Sequence, residues 1–411
     1  MRDNRPVCEH DAPAAEASFL DPTVNMWRPR HIHLAERVYV APFATLGAGK
    51  APVKIGPESN VQDNVRVRGG VLNRTSADRR SLRRAALRPG SGIRTGERVI
   101  LAHGSSVRGP ARLGVGPVKH VPDGMGGTVE DSGVFVSFGA QVDGGIIERD
   151  SGLSALSRLG PGVRLRSGFI VLPGKNVTTQ AQADRPALGK VRPIVEADRE
   201  FNAGVVEVNV GLAREYTRLS RDDASNVLGA NFDPGRHRVR RGTRPALRGI
   251  GPVHRTTRAR SPLPQPHHRR LLLRGQLRRA GRQDGSLHFD PRRRRWTVRA
   301  GIISRMDDKV VFHALEGTDL RLGNRVHYGQ RVILHGGGRP PVDPTTGLAA
   351  PTLVGNDVTL RPRSVVFRSL VRNDAVIGYK SAVVGSELRQ GQVIPNRLIY
   401  ANDEVFGRVE W

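Results

Sequence analysis

Along this chain the aliphatic positions recur every sixth residue. Ile55, Val61 and Val67 form one series, Leu101, Val107 and Leu113 a second, and Val136 and Val142 a third. Leu153, Leu159, Leu165, Val171 and Val177 then run on without a slip. Toward the C-terminus Val354, Leu360 and Val366 repeat, and after a five-residue step Val371, Ile377 and Val383 continue. The residue that follows is often small, as in IGPESN, LGPGVR, VGNDVT and IGYKSA. A period of six fits a coil of three short strands, in which every sixth side chain points inward and stacks on its counterpart one coil away. Small residues then take the tight corners. Strands of a sandwich would instead alternate with period two between irregular turns. The pattern therefore predicts a mainly β fold, a left-handed parallel β-helix of hexapeptide repeats.

The repeats fall into two blocks. The expected organisation is an N-terminal extension over 1–34, a first β-helix over 35–193 interrupted by an Arg-rich insert at 66–95, and a helix over 194–220 lying along it. An Arg/Pro-rich linker over 221–300 and a second β-helix over 301–411 follow. Within 194–220 the charged and apolar residues interleave and end in helix formers, which predicts a helix near 203–219. The last segment, LIYANDEVFGRVEW, reads as an edge strand and tail.

Composition agrees with a β repeat. Aromatics are 5% of the chain, while Gly (48) and Pro (28) are plentiful, as corners require. One cysteine, Cys8, excludes an internal disulfide framework and points to a reducing, cytoplasmic setting. No signal peptide and no membrane span are expected, because no long apolar run occurs.

A net charge of +28 would ordinarily suggest nucleic acid. Its distribution points the other way. Residues 66–95 hold nine Arg and one Asp, and residues 236–299 hold twenty Arg and two Asp, with no Lys in either. These two segments carry nearly all of the excess. They have no apolar period with which to bury a core, so they read as loop or disorder. Their abrupt edges also resemble GC-rich DNA read in a shifted frame.

Several motifs resemble the γ-class carbonic anhydrases. FATLGAGKAPVKIGPESNVQDNVRV is similar to that family's I-G-x-x-S turn followed by N-(I/V)-Q-D, here Asn60, Val61, Gln62 and Asp63. VILAHGSSVRGPARLG resembles its A-H-x-x-x-x-H-G-P-A segment, and VEVNVGLAREY its C-terminal helix. In the second block VVFHALEGTDLRLGNRV and RVILHGGG look like the V-V-x-H-A-L-E and H-G segments. The chain thus resembles a tandem of two related β-helices.

The resemblance implies reversible hydration of carbon dioxide to bicarbonate. Three neutral imidazoles hold zinc or iron, with one position open for a water whose pKa falls to about 7. The family draws two of the three histidines from one subunit and one from its neighbour, so a trimer or pseudo-trimer is implied. Carried onto this chain, the first and third ligand positions of the first block fall on Arg68 and Arg108, and His103 matches the second. In the second block His313 and His335 match the first and third, while Gln330 takes the place of the second. Gly47, Ala48, Gly49 and Lys50 stand where the family has R-x-D-E.

The surviving histidines therefore divide as the family divides its ligands, and His103, His313 and His335 are the implied metal set. A local variant would use His327 in place of His103. Glu316 falls at the proton-transfer glutamate, Asn209 at the helix asparagine near the substrate, and Gln62, Asp63 and Asp308 at the Q-D motif positions. Two other readings remain open. One is a catalytically inactive structural or assembly protein, favoured by the two arginines. The other is a hexapeptide-repeat acyltransferase, which shares the fold and uses a single histidine base.

Overall fold

A computed structural model describes residues 18–21, 23–49, 51–70, 92–122, 127–222, 298–313, 320–337, 339–342 and 349–411, with the short strands Leu271–Leu273, Arg278–Arg279 and Ser286–His288 between them. The chain divides into two compact units, Met1–Arg258 with Trp411, and Ala259–Glu410. Each is a parallel β-helix of the hexapeptide class that the period predicts.

In the first unit three ladders of short strands wind around one core. One ladder runs through Phe19–Leu20, Tyr39–Val40, Asn60–Val61, Val99–Leu101, Val134–Val136, Ser151–Leu153 and Phe169–Val171. A second passes from Asn25–Trp27 through Thr45–Gly47 and Arg66–Arg68 to the long strands Ser106–Val115 and Gln141–Glu148. Those two strands turn a corner and also serve the third ladder, which holds Ile32–Leu34, Val53–Ile55 and Ile93–Thr95. The coil begins at Phe19, one turn ahead of position 35, because Phe19, Leu20, Ile32 and Leu34 are already buried.

The six-residue series is the core. Leu153, Leu159, Leu165, Val171 and Val177 are fully buried. They stack in register: Leu153 pairs with Val171, Leu159 with Val177, and Ile147 with Leu165. Burying a leucine side chain contributes roughly 1.5–3 kcal/mol, so repetition supplies a continuous core without aromatics. Corners are turned by residues in the left-handed region, such as Glu58, Asn64 and Arg98, with φ of 53, 60 and 55°.

The Arg-rich interruption at 66–95 belongs to the coil at both ends. Arg66–Arg68 pairs with Thr45–Gly47, and Ile93–Thr95 pairs with Val53–Ile55 and with the second half of Ser106–Val115. Residues 71–91 lie outside the described residues. A second excursion forms the antiparallel hairpin His120–Pro122 and Thr128–Glu130. It is closed by a buried ion pair in which Arg149 Nε donates to one Asp131 oxygen at 2.9 Å and Nη2 lies 2.8 Å from the other. Asp131 also accepts from the N–H of Lys119 and of Gly133.

The helix is Glu196–Asp222, longer than 203–219. Its start is tied to the coil by Arg192–Asp198 and Arg199–Asp150 pairs, each with two hydrogen bonds. Farther along, Tyr216 stacks on Phe19 and Tyr39, and Phe201 meets Phe135 edge to face. Among the described residues no helix is long and apolar enough to cross a membrane.

Among the described residues the second unit has sheets of seven, seven, five and two strands. Val354, Leu360, Val366, Val371, Ile377, Val383, Leu388 and Ile394 all face its core. Most of the expected linker lies outside the described residues, but Leu271–Leu273 within it pairs in parallel with Val310–Phe312. At the far end the expected edge strand and tail form an antiparallel pair, Leu398–Ala401 with Glu404–Arg408.

Two predictions follow from this packing. Leu159→Ala should cost about 2–5 kcal/mol of stability in chemical denaturation, whereas Arg164→Ala, exposed on a neighbouring strand, should cost about 1 kcal/mol or less. Equal effects would contradict the register. The second concerns acid. Burial pushes the Asp198 carboxyl up, but hydrogen bonds from Arg192 and the Val195 N–H outweigh it and hold the group below the usual carboxylate range. Its contribution is complete above the ordinary carboxyl range and is lost as pH falls through the depressed folded value. The stability gap between wild type and Asp198→Asn should accordingly be largest near neutrality and close in acid.

Candidate metal centre

In the second unit His313 ends the strand Val310–His313 and His335 ends Ile333–His335. The two strands are parallel neighbours with His313 in register on His335. Both residues are buried, and their rings meet edge to face with centroids 4.4 Å apart. Phe367 follows on the next coil, in register with His335 and 5.2 Å from it. His335 Nδ1 lies 3.2 Å from the Gly336 carbonyl oxygen. A carbonyl can only accept, so Nδ1 carries the proton and Nε2 keeps its lone pair.

The first unit holds His103 at the corner after the strand Val99–Leu101. The ring is fully buried and stacks on Phe138 of the next coil at 5.9 Å. On its other side the buried Asp63 carboxylate lies 2.8 Å from Nδ1. The pair meets at ion-pair distance without the alignment of a linear hydrogen bond. A bare lone pair would be repelled by a carboxylate at that distance, so Nδ1 again holds the proton and Nε2 carries the lone pair. The QD segment and the AHG segment thus meet because their corners stack, as the bond from the Gly104 N–H to the Asp63 carbonyl records at 2.9 Å.

Arg68 and Arg108 explain why the first unit has no such pair of its own. They are in register on adjacent coils, the same relation that His313 has to His335. Two guanidiniums cannot ligate a cation, and Arg108 instead approaches Asp143 at 3.5 Å. Gln330, aligned with His103, is exposed.

The remaining expected residues separate clearly. Gln62 and Asn209 are buried, and Gln62 Oε1 and Asn209 Oδ1 have no hydrogen-bond partner among the described residues. The Asn209 amide donates to the Val205 carbonyl of its own helix at 2.8 Å. Asp308 is half-buried, and its Oδ1 has no hydrogen-bond partner among the described residues. Glu316 lies outside the described residues. His327 sits on a different sheet from the histidine pair, in register with Thr359. Burial, and then Arg305, hold its imidazole below the usual value. The local alternative through His327 therefore lacks a shared ladder.

Two features were missed at the level of sequence. Asn60, in the same motif as Gln62, is fully buried with neither amide atom partnered among the described residues. Tyr328 points into the core of the second unit, and burial raises its phenol. The first could have been suspected from its motif, the second only from its inward place in the period.

His313 and His335 give the second unit two imidazoles in register on one ladder, and His103 is a buried imidazole of the first unit. Imidazole is the donor type suited to zinc, iron or copper.

No family model matches the chain, and no curated protein matches it either. Among solved structures it is similar to a hexapeptide transferase family protein from Anaplasma phagocytophilum, at 17% identity and a TM-score of 0.29, over 48% of this chain and 90% of that one.

The tautomer assignment can be checked in the metal-free protein. Nitrogen-15 shifts of His103 should report Nδ1 protonated and Nε2 bare near neutral pH. Asp63→Ala should shift the ring toward a mixture of tautomers; an unchanged spectrum would show that the carboxylate does not orient it.

Proposed function

We propose that this chain is a γ-carbonic-anhydrase-like metalloprotein in which His103, His313 and His335 hold zinc or iron and carbon dioxide is the substrate. The register of His313 on His335 carries this reading. Two nitrogens bound tetrahedrally to one zinc lie about 3.3 Å apart, and rings with centroids 4.4 Å apart can bring two nitrogens to that separation. The tautomers support the fit, since in both His335 and His103 the proton on Nδ1 leaves the lone pair on Nε2. Groups that orient ligating imidazoles from behind typically strengthen metal affinity 10–100-fold.

When bound, an ion of this class acts as a Lewis acid that brings the pKa of water to about 7 at an open position. The protein side of the chemistry falls to the polar residues. The amide oxygens of Gln62 and Asn209 are buried acceptors able to orient a water or bicarbonate hydroxyl. Glu316, by its place in the resemblance, would carry protons to solvent, and Asp308 would take the part in the second unit that Asp63 takes in the first. The family's division of ligands between β-helices implies an assembly of more than one chain.

The hexapeptide coil itself favours a second reading, acyl transfer with one histidine as base. Metal analysis and two assays separate the possibilities. The purified protein should contain stoichiometric zinc or iron, and His103→Ala, His313→Ala and His335→Ala should each lose it while keeping the β-rich circular dichroism. Carbon dioxide hydration in stopped flow should disappear with the metal. Acyl transfer from CoA without metal would replace this reading with the second. Absence of metal, hydration and transfer together would leave a structural protein.

A further inference from the structure

The third ladder of the first unit sends one side chain outward per strand. In successive coils that side chain is His33, Lys54, Arg94 and Arg112, each in register with the next. All four are exposed. Ladder spacing of about 4.8 Å places them in a straight row roughly 15 Å long. The row ends at Ile146, next in register, after which Arg164 is paired with Glu148.

Like charges directly opposite one another are destabilising, and at several other places in this protein an acid faces the arginine. Arg158 meets Asp143, Arg325 meets Asp357 and Arg372 meets Glu387, each across adjacent coils. The row of Lys54, Arg94 and Arg112 makes no ion pair or hydrogen bond among the described residues. Acids at the adjoining corner are already engaged: Glu58 by Arg37 and Arg98, Glu97 and Glu130 by Arg98, and Glu36 by Arg37.

We propose that this face binds the phosphate backbone of a nucleic-acid duplex without regard to sequence. A straight line of cations, with no acidic partner among the described residues, complements a linear polyanion. A duplex is favoured over a single strand because the row interposes no Phe, Tyr or Trp on which bases could stack. Contacts limited to phosphates carry no sequence information. The inference is independent of the metal centre and uses none of its residues.

The test is fluorescence anisotropy of a short mixed-sequence DNA duplex against the full chain, between about 50 and 200 mM salt. Three proteins are compared: wild type, Lys54→Gln/Arg94→Gln/Arg112→Gln, and a control, Arg164→Gln/Arg166→Gln/Arg372→Gln, which removes the same charge from acid-paired arginines. All three keep the Arg-rich segments 71–91 and 236–299 unchanged. The row variant should bind at least about tenfold more weakly at the lowest salt, with a log–log salt slope flatter by about 2–3. The control should move far less. Unchanged binding by the row variant, or an equal loss in a control that remains folded by circular dichroism, would overturn the proposal. Polyglutamate or anionic vesicles competing as well as the duplex at equal charge would overturn the assignment of the partner.

Discussion

The parallel register of stacked coils is the constraint on which the rest depends. An inward aliphatic must sit on another inward aliphatic one coil away, as Leu153 does on Val171 and Leu159 on Val177. Once that is satisfied, every outward or corner residue is also placed on its counterpart. A pair such as His313 and His335, a row such as Lys54, Arg94 and Arg112, and a corner stack such as Asp63, His103 and Phe138 all arise this way. The core sets the spacing, and surface chemistry inherits it.

That separation accounts for the uneven fate of the two units. The first has Arg68 on Arg108 at the ladder relation where the second has His313 on His335. Exchanging one pair for the other leaves the inward residues Val67 and Val107 untouched, and both are fully buried. Ligating ability can therefore be lost without loss of the fold, which is how a stable coil can carry an incomplete set of donors.

The sequence disclosed the fold because period six is a direct imprint of the inward stack. It disclosed His313 and His335 because they follow recognisable strands. Other features needed three dimensions. The carboxylate facing His103 depends on two corners forty residues apart meeting across one coil. The first turn at Phe19 went unread although Leu20, Met26 and Ile32 keep the six-residue step, and the helix start was set by Arg192 and Arg199 rather than by apolar periodicity. The cation row was invisible because its members are separated by insertions of unequal length and are united only by register.

Those insertions have a consequence for how such a chain can change in length. Arg149 and Asp131 close one excursion, and the strands on either side of 71–91 return to the ladder beside Val53–Ile55 and Thr45–Gly47. Each coil is complete in its own contacts with the coils above and below. The chain may thus leave at a corner and re-enter at any later residue that resumes the stack. Doubling such a loop raises its closure entropy by only about 0.6 kcal/mol, less than half of what one buried leucine contributes. Corners are therefore ports at which new sequence can be admitted cheaply, and a segment admitted there can acquire a composition wholly unlike that of the coil that holds it.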